Sequence, residues 1–246
     1  LKMNNKKFKK FLKKILPPQV IYIYYILKVA RIKFIKWIPT YNEDELITAH
    51  KSDFLKDEHF MKCYNLAVAE NLAISDKIHW RAYVICWAAN QAKNLEGDFV
   101  ECGVAKGFLS RIAMEYINFK SLSKTFYLMD TFEGFSEKYL TKREKEIDRD
   151  VYKPSYCQVL DTFKSFDNVQ IIQGAIPETL PRVKSERISY LHIDMNCVIP
   201  EIAAIEYFWP KMVREGLIIL DDYGHSGHEE QKYAFEQLRK RKDIIE

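Results

Sequence analysis

The sequence predicts an α/β fold, a Rossmann-like doubly wound and mostly parallel sheet, preceded by a helical basic arm. Three observations carry this. From residue 98 onward, short β-rich runs alternate with helical stretches. Those runs are close to continuously apolar, as strands covered on both faces must be. The charge also divides the chain. Residues 1–42 hold eleven Lys/Arg and no Asp or Glu, so the remaining residues carry 38 − 11 = 27 basic against 34 acidic groups. A basic arm precedes an acidic body, and the net +4 is no mark of a nucleic-acid binder.

In the arm, Phe8, Phe11, Leu12 and Ile15 recur at helical spacing among lysines, which predicts a basic amphipathic helix. It is either a packed helix or a contact with anionic lipid through residues 1–38. The apolar run at residues 20–27 is only 8 residues long, against the roughly 20 that span a bilayer. Residues 39–60 read as a polar connector. Residues 76–94 repeat Ile78, Ala82, Ile85, Cys86 and Ala89 as an amphipathic helix. Strands are predicted at 98–102, 125–130, 169–172, 188–194 and 216–221. Helices are predicted at 108–118, 155–166, 200–213 and 228–241. The division is therefore an arm and connector over 1–60 and a Rossmann-like domain over 61–246. Five scattered cysteines without a CxxC pattern read as reduced thiols of a cytoplasmic protein. Cys102 and Cys197 read as small fillers.

Ligands of such sheets bind at the carboxyl ends of the strands. The first strand ends in Glu101, followed by Gly103 and Gly107, two glycines that permit a tight turn and close approach to a ligand. The second ends in Asp130, a place suited to a ribose diol. Together the two features indicate a nucleoside-containing cofactor. The fourth strand ends in Asp194 and Asn196, and the fifth in Asp221 and Asp222. Neighbouring carboxylates repel unless a cation is present, and hard oxygen ligands without thiolate suit Mg²⁺ or Ca²⁺. His225 and His228 are candidate bases, although capping the following helix is the plainer reading of both. Trp80, Trp87 and Trp209 read as core or interface.

The runs GDFVECGVAKG, YLMDTFEGF, IIQGAIPETLP, YLHIDMN and IILDDYGHSGHEEQKYAFEQL together resemble the macrocin O-methyltransferase family (TylF/MycF-like) from about residue 76 to the end. The resemblance implies a class I enzyme that uses S-adenosylmethionine to methylate sugar hydroxyls. It implies that Glu101, Gly103 and Gly107 hold the methionine part of the cofactor. Asp130, flanked by Thr131 and Phe132, would bind the ribose, and Gln173 and Gly174 the adenine side. It implies Asp194, Asp221 and Asp222 as Mg²⁺ ligands. Asp194 is the first choice for taking the substrate proton, and His225 the second.

Two departures stand out. Where the family often has Asp-x-Asp-Leu-Tyr, this chain has Asp194-Met195-Asn196-Cys197-Val198, which points to a different acceptor pocket. The sequence also stops at Ile244-Ile245-Glu246, where a further strand would begin. The expectation is a missing final antiparallel strand, an unpaired edge and dependence on a partner for stability. The expectation is a Mg²⁺-assisted O-methyltransferase acting on a sugar, polysaccharide or other glycoconjugate. It is cytoplasmic, with the basic arm at the inner membrane face, and self-association is compatible with it. The rival readings are an NAD-type oxidoreductase and a degenerate methyltransferase domain serving as a membrane-associated scaffold.

Overall fold

The computed structural model describes residues 39–72, 77–146 and 156–240. The basic arm lies outside the described residues. The chain divides into two units, residues 1–53 and 54–246. The first contains a hairpin, β1 (Tyr41–Glu43) and β2 (Leu46–Thr48), paired antiparallel with Tyr41 opposite Thr48. Its two-residue turn is Asp44-Glu45, both at positive φ, the backbone that matches the twist of the flanking strands. This hairpin occupies part of the segment that reads as a connector. Among the described residues no helix is long and apolar enough to cross a membrane.

The second unit is built on five parallel strands: β3 (Asp98–Cys102), β4 (Phe126–Asp130), β5 (Val169–Gln173), β6 (Ile188–Ile193) and β7 (Met212–Leu220). Their order is β5-β4-β3-β6-β7, so the winding direction reverses between β3 and β6. Strand β6 is buried along its whole length and β3 from its second residue on, which explains their apolar composition. Alternation sorts their side chains. Phe99 and Tyr190 join the core on one face, stacked 4.8 Å apart, while Val100, Cys102, Leu191 and Ile193 join the other. Strand β7 begins earlier than the apolar run suggests. Its register slips, with two steps along β6 (Ile188 to Tyr190) answered by five along β7 (Met212 to Leu217). The extra residues include Glu215 at φ +65. Among the described residues β7 pairs with β6 alone.

Among the described residues six helices cover the sheet: α1 (Glu58–Ala69), α2 (His79–Ala92), α3 (Phe108–Tyr116), α4 (Tyr156–Phe163), α5 (Val198–Phe208) and α6 (Glu229–Arg239). The first four contribute to the core around Phe99 and Tyr190, and the last two to the core around Val100 and Leu191. Helix α1 is absent from the sequence expectation. Asp57 caps it, accepting from the His59 and Phe60 amides, and such a cap contributes about 1 kcal/mol. Phe60, Cys63, Tyr64 and Ala67 then form one buried stripe. On α2, Trp87 is half exposed.

Candidate active site at the switch point

The exits of β3 and β6 meet where the strand order reverses. Gly103 has φ +92, and a Cβ there would stand 1.8 Å from the carbonyl oxygen of Asp194. Gly107, at φ +84, opens α3, and a Cβ there would press on the Phe163 ring at 2.5 Å. Both glycines of the turn are therefore required by close approach as well as by φ. Ala105 between them also has positive φ, as do Phe132 after β4 and Asn196 after β6. Left-handed backbone at non-glycine residues costs free energy and gathers at functional loops.

Asp130 holds two of these loops together. Its Oδ2 accepts from the Val104 and Ala105 amides at 2.8 and 2.9 Å, and its Oδ1 from the Phe132 amide at 2.8 Å. The Thr131 hydroxyl lies between Asp130 Oδ1 and the Gly134 carbonyl. The carboxylate read as a ribose ligand is thus also the staple between the exits of β3 and β4. Beside it lies a cavity of about 550 Å³ whose walls include Thr131, Gly134, Ser136, Gln173 and Gly174. Thr131, Gln173 and Gly174, three of the expected cofactor residues, converge there. Phe132 does not line it; its ring is buried beside Tyr156.

The register of β3 and β6 sets Glu101 opposite His192. Both are buried, and Glu101 Oε1 lies 2.8 Å from His192 Nδ1. Glu101 Oε2 and His192 Nε2 are buried without a hydrogen-bond partner. Burial pushes the Glu101 carboxyl up, against the opposing pull of His192. Burial also opposes charge on His192. The hydrogen bond and charge of Glu101, with Asp194 and Asp221 behind it, outweigh this and hold the imidazole above its ordinary value.

His192, Asp194 and Asp221 each offer a ligand atom, and these atoms all lie within 4.8 Å of one another. Burial, followed by the charge of Asp221, drives Asp194 well above the usual carboxylate range. Asn196 donates to Asp194 Oδ1 at 3.0 Å, so its amide orients the carboxylate. Arg81, on α2, donates to Asp221 Oδ2 at 2.8 Å. Asp222 is buried, with its Oδ2 3.5 Å from His228 Nδ1. Burial and Asp221 raise Asp222 too. His225 is exposed, its ring centroid 5.2 Å from that of His228.

A clamp missed by sequence reasoning closes the far side. Buried Glu144 accepts from the Thr141 amide at 2.7 Å and from the Val198 amide, at the start of α5, at 2.8 Å. Thr141 donates to Glu230 and Arg143 pairs with Glu229, both on α6. The segment after β4 is thereby tied across the exits of β6 and β7.

A five-stranded parallel sheet in this order, with a glycine turn after its central strand and acids at the neighbouring exits, is the Rossmann-like arrangement of class I methyltransferases. Residues 81–246 match the macrocin-O-methyltransferase (TylF) family, and the chain belongs to that family. The chain is 22% identical over 142 residues to the mycinamicin III 3''-O-methyltransferase of Micromonospora griseorubida, covering 52% of this chain and 55% of that protein. It is 25% identical over 143 residues to the 8-demethyl-8-(2,3-dimethoxy-alpha-L-rhamnosyl)-tetracenomycin-C 4'-O-methyltransferase of Streptomyces olivaceus, covering 54% of this chain and 55% of that protein. The matched part thus spans about half the length of these relatives. Among solved structures, the O-methyltransferase NovP superposes with a TM-score of 0.63 at 19% identity, covering 79% of this chain and 93% of NovP. A calicheamicin methyltransferase superposes with a TM-score of 0.54 at 14% identity, covering 77% of this chain and 86% of that one.

Proposed function

We propose that this chain transfers a methyl group from S-adenosylmethionine to a hydroxyl of a sugar or glycoconjugate, with the help of a divalent cation such as Mg²⁺. The observation that carries the reading is the convergence of His192, Asp194 and Asp221 beside the glycine turn after β3. The residues fit a cation: two carboxylates and an imidazole gather in one place, and Arg81 offsets the charge of Asp221 but makes no contact with Asp194 among the hydrogen bonds and ion pairs described. The sugar acceptors named for the curated relatives support the substrate class.

When bound, the cofactor supplies a sulfonium methyl and the cation lowers the pKa of the acceptor hydroxyl. The turn from Gly103 to Gly107 lets the backbone approach the amino-acid end of the cofactor, with Glu101 behind it. Thr131, Gln173 and Gly174 receive the adenosine end in the cavity between the exits of β4 and β5, with Asp130 at its rim. Asp194 takes the hydroxyl proton, and Asn196 fixes its direction. Exposed His225 is the second candidate for that proton. Arg81 steadies Asp221, whereas Asp222, expected as a third carboxylate ligand, lies against His228 and outside the His192–Asp194–Asp221 group. The departing sulfide is neutral, so no residue has to protonate it. The Glu144 clamp orients the acceptor and excludes water, and alignment supplies much of the rate.

The test is incubation with labelled S-adenosylmethionine and a panel of nucleotide sugars and glycans, with and without Mg²⁺. Label should move to a sugar. Calorimetry showing no binding of S-adenosylhomocysteine would end the reading. Asp221→Asn should abolish metal-dependent turnover, and unchanged turnover would remove the cation from it. The proposal extends to residues 1–38 as a peripheral attachment to anionic membrane. Flotation with vesicles, with and without that segment, tests it, and equal partition would remove it.

A further inference from the structure

We propose that His192 Nε2 is a direct ligand of the cation and that Glu101 is the residue that orients it. The site then takes one nitrogen together with its carboxylate oxygens. The inference rests on the cation reading above and goes beyond it in naming a ligand and a metal preference.

Four observations converge. His192 is fully buried, and its Nε2 has no hydrogen-bond partner. A buried polar atom left in that state costs about 1–3 kcal/mol, so an occupant is called for. Nδ1 is already engaged by Glu101 Oε1 at 2.8 Å. A carboxylate on one ring nitrogen fixes the proton there and leaves the lone pair of the other free, the arrangement that metal-binding histidines adopt. The third observation is distance: a ring nitrogen of His192 and carboxylate oxygens of Asp194 and Asp221 lie within 4.8 Å of one another. With Nδ1 engaged, Nε2 is the nitrogen available to an ion.

The fourth is strand register. His192 pairs with Glu101 on one side and Ile219 on the other. Two residues on from His192 and Ile219, just past the strand ends, stand Asp194 and Asp221, whose carboxylates come together with the imidazole. Asp222, one position further, turns to the opposite face and meets His228. On this geometry the ion's chain ligands are His192, Asp194 and Asp221.

A nitrogen ligand shifts selectivity. An all-oxygen set suits Mg²⁺, whereas an imidazole in the set favours first-row transition ions such as Mn²⁺ and Co²⁺. Glu101 is then a positioning residue, its Oε1 committed to His192.

The experiment is Mn²⁺ titration of the full chain followed by electron paramagnetic resonance, with pulsed detection of nitrogen coupling. The wild type should bind Mn²⁺ and show the coupling of a directly bound imidazole. His192→Asn should lose the coupling and weaken Mn²⁺ binding about tenfold or more, while His228→Asn keeps the coupling. Glu101→Gln should keep it but weaken binding by about ten- to a hundredfold. Mn²⁺ bound without nitrogen coupling, yet lost in Asp221→Asn, would overturn the His192 assignment and leave the cation reading standing. No Mn²⁺ binding by the wild type would overturn both. If His192 only supports the fold, His192→Asn lowers the melting point and leaves Mn²⁺ affinity unchanged, which also overturns the assignment. Should His192→Asn fail to fold, the wild-type spectrum and Glu101→Gln decide.

Discussion

Gly103 and Asp194 touch through their backbones, so that a single methyl group on Gly103 would stand 1.8 Å from the Asp194 carbonyl oxygen. The Asp194 amide in turn donates to the Cys102 carbonyl at 2.8 Å. The exits of β3 and β6 are thus fixed to each other before any ligand arrives. Gly103→Ala must break that contact or distort the turn. We expect a loss of about 3 kcal/mol or more in urea unfolding, together with loss of S-adenosylhomocysteine binding. Gly224→Ala is the control, since nothing lies within 4 Å of its Cβ position, and it should change stability by less than about 0.5 kcal/mol.

Asp130→Asn keeps the shape of the staple but turns an amide donor toward amide donors. One of the Val104, Ala105 and Phe132 amides then loses its acceptor. The expected cost is about 1–3 kcal/mol. The measurement is chemical denaturation alongside calorimetry with S-adenosylhomocysteine, which should bind more weakly because the glycine turn is no longer held.

Glu201 supplies the pH prediction. It is buried on α5, and burial followed by the charge of Asp222 holds its carboxyl well above the ordinary 4.5. The folded state therefore keeps a proton that the unfolded state releases. Its stabilising contribution is complete below about pH 4.3 and is lost as pH rises through the raised folded value. Glu201→Gln preserves the acceptor for the Cys197 amide and removes the buried charge. We expect it to raise the melting point at pH 8 by about 2–4 °C, if roughly 1 kcal/mol is relieved, and to leave it unchanged at pH 4. Equal shifts at both pH values would rule out this origin.

Glu144→Ala releases the Thr141 and Val198 amides together. Hydrogen exchange should accelerate at those two positions while the amides of β3 and β6 keep their protection. If the clamp orients the acceptor, KM for the sugar rises and affinity for S-adenosylhomocysteine stays within about twofold.

How much of this was legible in the sequence follows from how local each signal is. Strands β3 to β6 stand out because burial on both faces forces apolar runs between turn residues. Helix α1 also had a local signal, the Asp57 cap and the Phe60, Cys63, Tyr64, Ala67 spacing, obscured by the polar residues around it. The start of β7 at Met212 was hidden, because a bulge through Glu215 breaks the apolar run. Acids at strand ends could be read as a set. The Glu101–His192 pair could not, since it depends on two strands far apart in sequence coming into register. Arg81 and Glu144 reach the site from a helix and a loop with no motif around them, and only the folded chain places them there.

The cysteines offer a practical consequence. Cys63, Cys86, Cys102 and Cys197 are buried, and Cys157 alone is exposed. Burial also pushes the Cys63, Cys86 and Cys102 thiols upward, which keeps them protonated and slow to react. A maleimide dye should therefore attach at one place, on α4, the helix whose Phe163 ring closes against Gly107. Light emitted from that position would report the filling of the glycine turn, with no engineered thiol.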